Sequence, residues 1–170
     1  MRPEGNYYEC LCKRKNTTKG YALRAFLIFL IVLCFALTAV IGGIMLIVGA
    51  VGAYLLYLAT PRFHVTYEYV FCDGQIDFDK ILGGEGRKHD YRVDLESVEM
   101  VAPENSHALD NYRNSDLKVV DYSSLIKSPE HKVYVIINNG KKGMEKILFE
   151  PDETFVTMMK QKSPRKVSEY

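Results

Sequence analysis

Between Ala25 and Pro61 the chain runs 37 residues without a single charged side chain. No other feature restricts the fold as much. A helix of that length would extend roughly 55 Å at ~1.5 Å per residue. The hydrocarbon layer of a bilayer is only ~30 Å thick and is crossed by about 20 residues. Tilt cannot absorb so large an excess, so the run reads as two spans joined by a tight turn. Ala39-Val40-Ile41-Gly42-Gly43 is the expected turn. The first span then covers about Tyr21 to Val40 and the second about Gly43 to Thr60, with Pro61 as the stop. The small residues Gly49-Ala50-Val51-Gly52-Ala53 suit close packing of one helix on the other. Tyr21, Tyr54 and Tyr57 fall where an interfacial aromatic belt is expected.

Charge sets the orientation. Lys13, Arg14, Lys15, Lys19 and Arg24 flank the first span, while the turn carries no charge. The positive-inside rule places this flank in the cytoplasm, and an even number of spans returns the chain to the same side. Both termini are therefore expected to be cytoplasmic. A cleaved signal peptide fits poorly, because the basic region is long and a second apolar span follows. Downstream of the run, 16 basic residues face 19 acidic ones. That balance argues against nucleic acid as a partner, since such proteins concentrate positive charge.

The segment that follows has the period of strands. His64 to Cys72 alternates, with Val65, Tyr67, Tyr69 and Phe71 on one face, and Asp73-Gly74 is a favoured two-residue hairpin turn. Gln75 to Leu82 returns with Ile76, Phe78 and Leu82 on the matching face. Further strands are expected over Arg87–Val93, Ser97–Val101, Leu117–Tyr122, Lys132–Ile137 and Met144–Phe149, with turns at Gly83–Gly86 and Asn139–Lys142. Pro151-Asp152-Glu153 opens a helix whose apolar stripe is Phe155, Val156, Met158 and Met159. Seven antiparallel strands and a C-terminal helix predict an α+β soluble domain attached to a membrane α-helical hairpin; the order is that of a pleckstrin-homology-like barrel, and sequential hairpins also fit a generic antiparallel barrel. The expected organisation is a basic segment over 1–20, the hairpin over 21–60, the soluble domain over 62–163 and a loose tail over 164–170.

Several stretches add a resemblance. Tyr7-Tyr8-Glu9-Cys10-Leu11, Tyr67-Glu68-Tyr69, Asp73 through Lys80, and Ala102-Pro103-Glu104-Asn105-Ser106 resemble a membrane-protein family of Gram-positive, Clostridia-type bacteria. So do Phe149-Glu150-Pro151 and Pro164-Arg165-Lys166-Val167. That family is one of unknown function. The resemblance implies a bacterial inner (plasma) membrane location and supplies no catalytic residues.

Chemistry is sparse. His64, His89, His107 and His131 are widely separated and form no metal-binding spacing. Cys10-Leu11-Cys12 lacks a second ligand pair. Asp73, Asp77 and Asp79 fail as a calcium loop, because the sixth position is Phe78 and the twelfth Gly84. Those carboxylates, with Glu68, read instead as an outward face neutralised by Arg92 and Lys88. No phosphate loop and no nucleophile elbow occur. The expectation is therefore a non-enzyme without catalytic, cofactor or metal residues, acting as a membrane-tethered binding or scaffold module. Its partners would be the lipid bilayer and another protein. The alternative is a membrane-bound enzyme or small-ligand sensor using the polar loop 104–115. That loop holds Asn105, Ser106, His107, Asp110, Asn111, Tyr112 and Arg113 together. A deep pocket beneath it would favour the alternative, and a flat loop with an exposed apolar groove the module.

Overall fold

A computed structural model describes residues 7–15, 18–60, 65–83, 86–113, 115–126, 128, 131–140 and 143–168. The middle of the expected turn Gly83–Gly86 (84–85), the second half of the expected turn Asn139–Lys142 (141–142) and the expected stop at Pro61 fall outside the described residues, while Asn139 and Gly140 belong to a strand. The chain divides into two compact units, residues 16–65 with 82–85, and residues 1–15, 66–81 and 86–170.

The first unit is a helical hairpin of α1 (Thr18–Ile41) and α2 (Ile44–Ala59). The break falls at Gly42-Gly43, inside the expected turn. Gly42 takes φ 99°, which an L side chain resists, and its N–H closes the last turn of α1 on the Thr38 carbonyl at 3.0 Å. A Cβ at Gly49 would lie 3.4 Å from Cys34 and the Phe35 ring, so the small residues of α2 do serve packing against α1. Large side chains are exposed all round, among them Phe29, Val40, Val51 and Tyr57. A helix that is apolar on every side is matched to an apolar surround. The stretch Gly20–Ile41 is long and apolar enough to cross a bilayer, which points to membrane association. Ile44–Leu58 is a shorter apolar helix, about 24 Å over the 16 residues of α2.

Among the described residues the second unit holds eight strands in two four-stranded sheets. It is not the expected seven-stranded set and not a closed barrel. Sheet one has the order β1-β2-β3-β4, from Tyr7–Lys13, Val65–Cys72, Gln75–Leu82 and Gly86–Asp94. Sheet two has the order β5-β7-β8-β6, from Val98–Pro103, Tyr134–Gly140, Gly143–Phe149 and Lys118–Asp121. The additional strand is β1. Residues 7–13, expected in a segment outside the soluble domain, pair antiparallel with β2 from Tyr7↔Cys72 to Lys13↔Thr66. Their alternation is regular: Cys12 is buried, Tyr8 and Cys10 are half-buried, and Tyr7, Glu9, Leu11 and Lys13 face out. The expectation of antiparallel pairing throughout also fails at β6. It runs parallel to β8, because the chain crosses sheet two between β5 and β6 before pairing.

Between the sheets lies an aromatic core. Phe78 stacks on Tyr122 at 4.6 Å, and Tyr69 meets Phe78 and Phe149 edge-on at 5.5 and 5.6 Å. Helix α4 (Glu153–Lys162) covers one side of this core with Phe155, Val156, Met158 and Met159, as its apolar stripe predicts. Asp152 caps it by accepting the Phe155 N–H at 2.8 Å. The C-terminal residues are docked rather than loose. Val101 donates its N–H to the Lys166 carbonyl, Ser168 donates to the Val101 carbonyl, and Val167 is buried.

Candidate functional site

Proline ends β5 at Pro103, and the chain turns back over the outer face of sheet two. The Pro103 carbonyl accepts the Ser106 N–H at 2.9 Å. Ser106 is extended (φ −71°, ψ 140°), and its hydroxyl accepts the Ala108 N–H. It thereby caps a 3-10 turn over His107–Leu109 that continues into α3, Asp110–Arg113. Leu109 is the anchor. It is buried against Ala102, Val135 and Ile137, with Met100, Tyr112, Leu117 and Leu148 packed around it. Because this turn covers the outer face while the aromatic core covers the inner one, Tyr134 to Ile137 is buried without interruption.

The predicted loop residues therefore separate into different roles. Ser106 is a buried cap. Tyr112 donates its hydroxyl to Glu99 at 2.9 Å, and that bond, with some burial, raises its pKa. His107 and Arg113 flank Asp110 on the exposed side, at 3.1 and 3.5 Å. Asn111 is exposed and its carbonyl accepts from Ser115. Asn105 alone turns towards a shallow groove of about 480 Å3, lined also by Glu104, Ile126, His131, Lys132 and Val133. Beneath the 106–113 turn the space is filled by Leu109 and its neighbours.

Behind the groove wall is a polar network with no obvious signal in the sequence. The His131 Nδ1 lies 3.1 Å from the Oε2 of Glu150, a carboxylate only 7% exposed. The other oxygen, Oε1, accepts the Ser124 N–H at 3.0 Å and the Ser124 hydroxyl at 2.9 Å. Cys12 of β1 points its thiol at Oε2 from 3.8 Å. Burial pushes the Cys12 thiol up to about 11, with Glu150 adding to the rise, so it is a protonated structural thiol rather than a nucleophile. Tyr69 donates to the Tyr122 carbonyl at 2.7 Å and accepts from the Glu150 N–H, and burial holds its hydroxyl well above the ordinary range. The network ties β1, the 122–124 turn and the end of β8 together. Among the described residues no group of three His, Cys, Asp or Glu side chains is arranged to hold a metal ion.

The carboxylates of sheet one also find partners. Arg92 grips Asp77 through two bonds, Nε to Oδ1 at 2.5 Å and Nη2 to Oδ2 at 2.8 Å, as the sequence predicts. Asp79 is paired by His89 at 2.9 Å, and Glu68 sits against the Arg87 guanidinium without hydrogen-bond alignment. Arg87 supplies the counter-charge to Glu68, and the His89 ring is the partner of Asp79, where Lys88 was expected. Nearby, Lys80 binds Asp90 at 2.7 Å and lies over the Tyr67 and Tyr122 rings. Burial disfavours the Asp90 carboxylate, but Lys80 and the Tyr122 hydroxyl outweigh it and hold its pKa below the usual value.

Two packed sheets with a C-terminal helix define a PH-like domain, here interrupted after its first strand by an apolar helical hairpin. The chain belongs to the bacterial PH-like domain family DUF6106, which matches residues 4–169, so the match takes in β1, the hairpin and the docked C-terminal residues. Domains of this kind are generally non-catalytic. No curated protein and no solved structure matches the chain.

Proposed function

We propose that the chain is a membrane-tethered binding module, with its PH-like domain held at the cytoplasmic face of a bacterial inner membrane to engage another protein. The observation that carries the tether is the pairing Lys13↔Thr66. The chain leaves the domain for the apolar insertion and re-enters it at neighbouring positions of one sheet. Adjacent ends support an insertion that goes in and comes back, as two passes or a re-entrant hairpin. The basic flank supports a cytoplasmic position for the domain and both termini. The shorter α2 is accommodated by local thinning of the bilayer.

Support for a binding role rather than chemistry comes from the 104–115 segment. Its apolar side is used for packing, and its exposed side presents His107, Asp110, Asn111 and Arg113. A polar face on a rigid element suits recognition of a protein surface. The ligand-sensor reading keeps one observation in its favour, the His131–Glu150 pair beside Asn105.

The test is photo-crosslinking in native membranes. A crosslinking residue at His107 should capture a discrete protein adduct that one at Glu96 does not. Fusions of a cytoplasm-active reporter to each end should both be active. An adduct absent at both positions would remove the protein-partner reading, and termini on opposite sides would remove the hairpin topology.

A further inference from the structure

The turn after β6 contains an arrangement that domain stability alone does not explain. Leu125 is one of two non-glycine residues with positive φ, at 61°, among the described residues. It is 42% exposed, although Tyr122, Ser123 and Ser124 before it are buried. A leucine in the left-handed region is strained, and here part of its apolar surface is left uncovered. The neighbours hold it there. Ser124 is clamped to Glu150 through its N–H and hydroxyl, and its hydroxyl also accepts the Ile126 N–H at 3.0 Å. Strain enforced by surrounding structure is a reason to look for a role.

The location supplies one. The Ser124 carbonyl accepts the N–H of Lys15 at 2.8 Å. Lys15 lies three residues before the start of α1, and three residues span at most about 11 Å. Leu125 is therefore at the end of the domain from which the apolar hairpin departs. Lys13 and Lys15 are exposed at the same end, as is Leu11 two residues earlier on β1. The opposite end is marked by the β2–β3 and β4–β5 turns, joined where the Leu95 N–H meets the Gly74 carbonyl.

We propose that Leu125 is a membrane foot: an apolar side chain held out to enter the interfacial layer of an anionic bilayer, with Lys13 and Lys15 meeting the headgroups. This rests on the membrane-tether reading above. It goes further by giving the domain a second, non-covalent contact that fixes which surface faces the lipid. Amphipathic contacts of this kind combine buried apolar area with attraction to anionic lipid.

The chain contains no tryptophan, so a single one reports its own surroundings. Full-length Leu125→Trp, Glu96→Trp and Phe29→Trp proteins are reconstituted separately into phosphatidylcholine–phosphatidylglycerol vesicles, with and without acyl-chain bromines. Leu125→Trp should be blue-shifted and quenched by bromine, Glu96→Trp should be neither, and Lys13→Glu with Lys15→Glu should weaken the Leu125→Trp quenching. Quenching of Phe29→Trp with none at Leu125→Trp would overturn the foot and leave the tether standing. No quenching of Phe29→Trp would overturn the tether itself. Equal quenching at Leu125 and Glu96 would mean non-specific adhesion and would also overturn the foot. If tryptophan at this backbone angle unfolds the domain, Leu125→Cys with an environment-sensitive label, in a Cys72→Ser background, reads the same contact.

Discussion

Replacing Gly74 with valine should lower the stability of the PH-like domain by about 2 kcal/mol, within the roughly 1–3 kcal/mol range for a residue forced into a sparsely populated backbone region. Gly74 sits at φ 90° and Asp73 before it at φ 45°, so both turn residues are left-handed. Valine is among the residues least able to adopt such an angle. A Cβ there would also approach the Lys162 Cε to 3.2 Å. That atom is near the end of a flexible side chain whose ammonium reaches Asp73 at 2.7 Å, so it moves at little cost and backbone strain dominates. The expected order of destabilisation is Asn, then Ala, then Val. For a domain of this size about 2 kcal/mol corresponds to a fall of roughly 6–12 °C in Tm. The assay is thermal unfolding of the full chain in detergent, followed by near-ultraviolet circular dichroism. The tyrosines Tyr67, Tyr69 and Tyr122 in the core report the domain, while the helical hairpin dominates the far-ultraviolet signal. A valine variant that melts with the parent, or one no worse than the asparagine variant, would refute the turn assignment.

Three further outcomes are expected. A chain starting at residue 62 should lack the near-ultraviolet signature, whereas one joining Lys15 to Thr66 through a short Gly-Ser linker should retain it, because β1 pairs with β2 along its whole length; native-like spectra from residue 62 onward would contradict this. Arg92→Glu should lower the melting temperature at low salt, and adding Asp77→Lys should restore part of the loss by re-forming the pair in reverse; a double variant no better than the single would show that the pair does not couple. The depressed pKa of Asp90 means that its carboxylate stabilises the fold at pH values above the unfolded value of about 3.9, and that this contribution disappears as pH falls through the lower folded pKa. Asp90→Asn should therefore flatten the acid limb of a stability–pH profile, and an unchanged acid limb would count against it.

What was legible in the sequence had short range. The Asp73-Gly74 hairpin, the strong strand at Tyr134–Ile137 and the Asp152 helix start are each written in a few contiguous residues, and they appear where expected. The Arg92–Asp77 pair was reachable because one turn connects its strands. Strand β1 was not. Its alternation of Tyr8, Cys10 and Cys12 against Glu9, Leu11 and Lys13 is present, but its partner lies beyond the whole apolar run, and the adjacent basic residues read as a membrane flank. For the 104–115 loop the sequence shows polar residue types but not the directions in which they point. Leu109, the one apolar anchor, decides that Ser106 and Tyr112 serve packing. Glu150 carried no signal, since a single glutamate between Phe149 and Pro151 gives no hint of the serine, histidine and cysteine that converge on it.

The interruption of sheet one has a consequence for how the protein is made. Strand β1 leaves the ribosome first, yet its partner follows only after some fifty intervening residues. At about 5–20 residues per second, that is a delay of several seconds. Throughout it, a half-apolar strand with unpaired edges waits for its partner. The sheet can zip together only when the hairpin has folded back and brought β2 to β1. Completion of sheet one therefore reports that the hairpin has folded back on itself, and until then Cys12 and the Tyr8 ring lack their packing partners.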